Sequence, residues 1–320
     1  MDKINLPETL DVDPTTWELR QTTPTLTTAV DPPEPSPEEL VHLLHSSSHR
    51  GYALSKLAKN RDACVDLALL LWNSFNIVFV LLQEVISVYR QLPPSDRRVS
   101  ARESTRTCNA IALFQCMAAH PLTRMQLIRA RIISYLHPFL GITTTTSTTA
   151  ATEDKPLEAL RLTSLGVIAA LLKIDNPEDG QQIVHYLLES EVFPLFLSCM
   201  DHGDEPTQTV SALIIAKILW RAEGLKYCSA YGERFFALVR ALGRVVDRQP
   251  AERPSLGLLR SVIACYLRLS EVPRAKDAFR NCIPARMTQH NFIAFIREDP
   301  HSVRMLQQLF TNITSRHWTY

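Results

Sequence analysis

The chain has 320 residues, 46% of them apolar and 21% charged, with a net charge of +1. That balance excludes a wholly disordered polymer and leaves room for one large or two ordinary domains. A charge so close to zero gives no whole-molecule attraction to nucleic acid or anionic membrane, and only 9 glycines argue against folds built on phosphate loops or many tight hairpins.

Residues 1–35 are rich in Pro, Thr, Asp and Glu and read as a disordered tail. Their acidic start has no apolar core, so it is not expected to be a signal peptide. Ser36-Pro37-Glu38-Glu39 then opens a helix: a capping hydroxyl, proline in the first turn, and acids at the positive end of the dipole. From 36 to about 315 helix follows helix, with breaks at Pro93-Pro94, His120-Pro121, Asn176-Pro177, Gly203, Gly224, Pro250, Pro254, Pro273 and Pro284.

The stretch Leu69–Tyr89 is predicted as one helix with two apolar stripes. At about 100° per residue, Phe75, Phe79, Leu82, Ile86 and Tyr89 share one stripe, and Val78, Leu81, Val85, Val88 and Leu92 share another. A surface helix buries one, so this one either packs inside a stack or offers a face to a partner. Its apolar run is interrupted by Asn73, Ser74 and Asn76 and is too short to span a membrane, which leaves a soluble, intracellular protein as the expectation.

Threonines dominate 143–152, a surface-loop composition, and 316–320 forms a short C-terminal tail. Pro121 precedes Pro177 by the same interval as Pro138 precedes Pro194, and each pair brackets an equivalent run of helices. Recurring helical units that cannot bury their own faces predict an all-α fold, an α-solenoid of armadillo-like repeats.

Catalytic chemistry is not written in the pattern. There is no His-Glu-x-x-His, Gly-x-Ser-x-Gly, Gly-x-x-x-x-Gly-Lys or Gly-x-Gly-x-x-Gly. His42, His45 and His49 share a helix side but have no fixed carboxylate or thiol beside them, so they read as a polar face rather than a metal site. Asp201-His202-Gly203-Asp204-Glu205 reads as an inter-helix turn with capping carboxylates. No metal and no cofactor is expected. The seven cysteines (64, 108, 116, 199, 228, 265 and 282) contain no Cys-x-x-Cys and read as reduced, buried thiols. Among 26 Arg and 8 Lys, Arg97, Arg98, Arg102 and Arg106 form a stripe near one helix start. Arginine suits bidentate phosphate contacts, so nucleic-acid binding, in the manner of a transcriptional cofactor, is the alternative function. With no interleaved aromatics the stripe reads first as a solvated face.

Several blocks carry a family resemblance: Leu71-Trp72-Asn73-Ser74-Phe75, Leu81-Leu82-Gln83-Glu84, Cys108-Asn109-Ala110, Ala119-His120-Pro121-x-Thr123-Arg124 and Tyr135-Leu136-His137-Pro138-Phe139-Leu140. They continue through Leu160–Ile168, Lys217-Ile218-Leu219 and Cys265–Ser270. Over residues 36–312 the chain resembles the "required for cell differentiation" armadillo family, the armadillo subunit of the CCR–NOT deadenylase complex. The resemblance implies a crescent of six repeats over 36–315, without catalysis of its own, that docks on the NOT scaffold subunit. It further implies recruitment of mRNA-targeting proteins for deadenylation, mRNA decay and translational repression, in the cytoplasm and its P-bodies and also the nucleus.

By the same resemblance, Asn73, Phe75, Phe79 and Ile86 face the scaffold. Pro194, Thr209, Tyr231, Arg234, Arg274 and Ala278 match pockets for tryptophans of disordered silencing proteins, and Ala159, Gly166 and Val210 match a concave groove for short helical motifs. By periodicity alone Phe75, Phe79, Ile86 and Val210 read equally well as core, and Gly166 as helix–helix packing. A second copy of the chain is a further candidate partner. The chain departs from the family at Phe79, where a small residue is typical, at Ala159, where an aromatic is typical, and at Gly232, an extra residue between Tyr231 and Arg234. These departures point to a divergent paralogue with altered partners.

Overall fold

Ser36 opens the first helix with a reciprocal cap: its hydroxyl accepts the Glu39 amide at 3.2 Å, and the Glu39 carboxylate accepts the Ser36 amide at 2.9 Å. The computed structural model describes residues 35–93, 98–142, 155–174, 176–250, 252–273, 279 and 282–314. The chain divides between Pro35 and Ser36, and the elements that follow belong to the unit Ser36–Tyr320. Apart from Pro35, the tail expected at 1–35 lies outside the described residues, as do the threonine-rich segment and 316–320.

In chain order the helices are α1 (Pro37–Leu43), α2 (Arg50–Lys59), α3 (Leu67–Asn73), α4 (Ile77–Ser87), α5 (Ala101–Ala119), α6 (Pro121–Arg129), α7 (His137–Leu140) and α8 (Lys155–Leu171). They continue as α9 (Pro177–Glu189), α10 (Phe193–His202), α11 (Glu205–Leu219), α12 (Ala222–Ala230), α13 (Gly232–Arg248), α14 (Leu256–Ser270), α15 (His290–Ile296) and α16 (Pro300–Thr314). No strand occurs among the described residues. Helices α2, α5, α8, α11, α14 and α16 each pack against the next, a ladder of six rungs that matches the expected repeats.

The punctuation works as the sequence implies. Pro121 and Pro177 open α6 and α9, where a missing amide costs nothing, after caps from His120 and Asn176. Pro138 and Pro194 occupy the equivalent first turns of α7 and α10. Asp204 caps α11 by accepting the Thr207 amide at 3.0 Å, which places the acidic 201–205 segment in a turn.

Helix C-termini are closed by cations from elsewhere in the ladder. Arg50 donates to the Leu44 carbonyl at 2.8 Å, Arg124 to Ala118 and Ala119 at 3.0 and 2.8 Å, and Lys217 to Leu172 at 3.1 Å. Arg268 donates to Leu219 at 3.1 Å, and Arg286 to Val246 and Asp247 at 3.2 and 3.0 Å. Each satisfies a carbonyl left over at a helix end and places positive charge at the negative pole of the dipole. Burial and the neighbouring Lys173 hold the Lys217 ammonium below the usual lysine range.

The single helix expected over 69–89 is two. Asn76 adopts φ 63° and ψ −1°, the left-handed region that asparagine tolerates, and α3 and α4 meet at 93°. Ser74 helps to end α3, its hydroxyl donating to the Leu70 carbonyl at 2.6 Å. Because a β-branched side chain is strained there while glycine is not, Asn76→Val is expected to be less stable than Asn76→Gly by about 1–2 kcal/mol, read as a lower urea midpoint. Among the described residues no single helix is long and apolar enough to cross a membrane.

Candidate docking surfaces

The break at Asn76 decides which way α4 faces. Its inner side buries Ile77, Val80, Leu81 and Val85, with Val88 and Leu92 just beyond. Glu84, also buried, accepts hydrogen bonds from Arg106 (Nη2, 2.7 Å) and Arg50 (Nη1, 3.1 Å). These bonds tie α4 to α5 and α2. Outside, beside the exposed polar Gln83 and Ser87, stand large apolar side chains: Phe75 is 84% exposed, Phe79 57% and Ile86 42%. Leu82 lies between Phe79 and Ile86 and Tyr89 lies beyond Ile86, both half-buried, and Asn73 is exposed at the end of α3. The two stripes expected of this segment are therefore sorted, one to the core and one outward, although Phe75 sits in the connection rather than on the helix.

A comparison with α13 shows how unusual this is. That helix buries Leu238, Val239, Leu242, Val245 and Val246 and, apart from Phe236 near its start, turns Arg240, Arg244, Asp247 and Arg248 to solvent. Arg244 and Arg248 pair with Asp201 at 2.6 and 3.9 Å. On α4 the outward positions include the large apolar Phe79 and Ile86 beside Gln83 and Ser87, and no charged residue.

Of the residues matched to tryptophan pockets, Tyr231 and Arg234 lie together. Tyr231 caps α13 and Arg234 lies in its first turn, so Gly232 between them is the first helical residue rather than a spacer that drives them apart. A Cβ at Gly232 would meet only the Phe236 ring at 3.9 Å. The Arg234 guanidinium stacks 4.1 Å from the Tyr227 ring centre and 4.9 Å from that of Tyr231. Tyr227 packs edge-on against Phe193 at 5.5 Å, next to exposed Pro194. Sequence reading missed Tyr227; the i, i+4, i+7 spacing of Tyr227, Tyr231 and Arg234 was the available signal. Thr209 instead lies beside Gly257 at the start of α14, and Arg274 and Ala278 lie outside the described residues.

The concave-groove residues separate. Ala159 is exposed, but Val210 is in the core. A Cβ on Gly166 would come within 3.2 Å of the Gln115 side chain, so this glycine serves the close packing of α8 on α5. Val210 and Gly166 thus take the packing roles that periodicity had left open.

The arginine stripe does not form one face. Arg98 precedes α5, Arg102 is exposed, and Arg106 turns inward to Glu84; Arg97 lies outside the described residues. The His42–His49 set is also divided, since α1 ends at Leu43 and the His49 Nδ1 lies 3.0 Å from the Ser46 hydroxyl. Among the described residues no group of three or more His, Cys, Asp or Glu is placed to hold a metal. All seven cysteines are free, and burial pushes the thiols of Cys116 up to about 11 and of Cys199 and Cys228 up to about 12.

A ladder of helices packed in this order defines an armadillo-type α-solenoid. The solved structures agree on the fold: a designed armadillo repeat protein matches 87% of this chain and 100% of its own with a TM-score of 0.60 at 15% identity. A second designed armadillo protein, in complex with the peptide (KR)4, matches 87% of this chain and 99% of its own with a TM-score of 0.58 at 14% identity. The family model "Cell differentiation family, Rcd1-like" matches residues 40–313, and the chain belongs to that family. It is 40% identical to the cell differentiation protein rcd1 of Schizosaccharomyces pombe, over 86% of this chain and 92% of that one. It is 38% identical to protein CAF40 of Saccharomyces cerevisiae, over 82% of this chain and 66% of CAF40.

Proposed function

We propose that the chain is a non-catalytic adaptor subunit of the CCR–NOT deadenylase complex. In this reading it docks on the NOT scaffold subunit through Phe75, Phe79 and Ile86 and recruits proteins that direct mRNAs to deadenylation, decay and translational repression. Membership of the Rcd1-like family supports the class of protein. The observation that carries the docking assignment is the outward apolar face of α4. Burying such a side chain is worth about 1.5–3 kcal/mol, so three left in water are best explained by a partner that covers them. The Arg234–Tyr227–Tyr231 stack supports a second receptor, for indole side chains of recruited proteins. The cytoplasm, its P-bodies and the nucleus are the proposed locations, as they follow from that role.

Pull-down of the purified chain with the NOT scaffold subunit of its own organism tests the reading. Phe79→Asp with Ile86→Asp is expected to weaken capture by more than about thirtyfold, since interface anchors typically contribute 2 kcal/mol or more. Both residues are exposed, so the thermal midpoint should barely move. No capture of the wild type, or equal capture of the variant, would count against the assignment.

A further inference from the structure

The apolar face of α4 continues onto the next repeat, and exposed arginines flank its far end. Tyr89, at the end of the stripe, packs edge-on against Phe139 at 5.7 Å and donates a hydrogen bond to the Tyr135 carbonyl. Tyr135 is itself 38% exposed, within the 3-10 turn Ile132–Leu136 that packs against α4. Arg90 follows Tyr89 into solvent, and Arg131 stands exposed at the start of the turn, held at φ 52°. Across residues 73–91 and 129–142 the only carboxylate is Glu84, buried and paired with two arginines. The neighbouring Glu103 caps α5 through Ser100 and accepts the Gln91 amide at 2.8 Å.

From this geometry we infer that the docking face runs past Ile86 onto Tyr135, and that its occupant is an amphipathic helix whose apolar side leads into an acidic segment lying against Arg90 and Arg131. The inference rests on the scaffold-docking reading and adds the chemistry of the partner. An apolar stripe alone would accept any amphipathic helix. Two exposed arginines at its end select among them, because cations brought against Arg90 and Arg131 are repelled while carboxylates are attracted. Arginine is suited to the contact, since its planar fork engages a carboxylate through two hydrogen bonds. Tyr135 adds a rigid aromatic body with a polar tip between the stripe and the cations.

Binding of the purified full-length chain to the NOT scaffold subunit, measured calorimetrically at low and at raised salt, tests this with the wild type, Arg90→Glu/Arg131→Glu and Tyr135→Ala. Wild-type affinity is expected to fall with salt, and the charge-reversed variant to bind about tenfold more weakly at low salt with most of its salt dependence gone. Tyr135→Ala is expected to bind severalfold more weakly at both salt concentrations. Wild-type binding that ignores salt, together with undiminished binding by the charge-reversed variant, overturns the acidic partner while leaving docking on Phe79 and Ile86 intact. Absence of wild-type binding overturns the docking reading and this inference together.

Discussion

Arg161→Ala is expected to cost about 3–5 kcal/mol of folding stability, enough to leave a domain of ordinary stability marginal at physiological temperature. Arg161 is fully buried on α8. Its guanidinium donates through Nη1 to Glu158 and through Nη2 to the Ile142 carbonyl, so it holds the end of the α7 segment against α8. Glu158 in turn accepts from the Thr207 hydroxyl at 3.3 Å, next to the cap of α11. Truncation would leave Glu158 with no counter-ion in a site where burial already raises its carboxyl, the Arg161 charge lowers it, and the Asp204 carboxylate raises it again; the net shift is upward. The sign of the pH dependence follows. A carboxyl raised in the folded state penalises folding at high pH and is relieved as pH falls through its folded value. With Arg161 gone the rise grows, so the deficit of Arg161→Ala should be larger near about pH 8 than near about pH 5. Urea unfolding of wild type and variant at both values checks this. Arg161→Met with Glu158→Leu, which removes both charges and keeps bulk, should recover much of the loss. A deficit that persists unchanged in the double variant would instead make it a matter of packing.

The buried charges of Arg161 and Glu84 were closed to sequence reading because they bridge to other elements, Arg161 to the Ile142 carbonyl and Glu84 to arginines on α2 and α5. Arg161 looks from its neighbours like one more polar position on an amphipathic helix, and Ile142 lies across the threonine-rich segment from it. Arg106 was grouped with Arg102 by proximity in sequence, yet its carboxylate partner is on another helix. What the sequence did disclose was local: the prolines that open α6 and α9, the Ser36 and Asp204 caps, and the sorting of α4 into two stripes. Periodicity could not say which stripe faced water, since Phe79 and Leu81 are equally apolar; only the folded chain shows Leu81 buried and Phe79 exposed. Family resemblance placed Val210 in a groove, where tertiary packing puts it in the core. The break at Asn76 shows the limit of reading an apolar run by content alone. Asparagine's tolerance of the left-handed region ends a helix without a proline or glycine to announce it.

Glu84→Ala is expected to lose about 3 kcal/mol, below the full cost of a deeply buried pair because Arg106 is 39% exposed and partly screened. Burial pushes the Glu84 carboxyl up, but hydrogen bonds and charge from Arg106 and Arg50 outweigh it and hold it below the usual carboxylate range. A carboxyl lowered by folding stabilises the protein above its unfolded value, and that stability disappears as pH falls through the folded one. Glu84→Gln keeps the shape and removes the charge, so its deficit should be full at neutral pH and close in acid, as the wild type protonates and comes to resemble it. A gap that stays constant from neutral pH to below about pH 4 would show that the ion pairs are not its source. In the proposed docking the residue matters as well, since Glu84 fastens the inner side of α4 to α2 and α5 and so fixes the outward aim of Phe79 and Ile86. Scaffold binding by Glu84→Ala should therefore fall in step with stability, and low temperature should restore it. Phe79→Asp with Ile86→Asp should lose binding with no loss of stability at any temperature. That contrast separates the residues that touch the partner from the one that aims them.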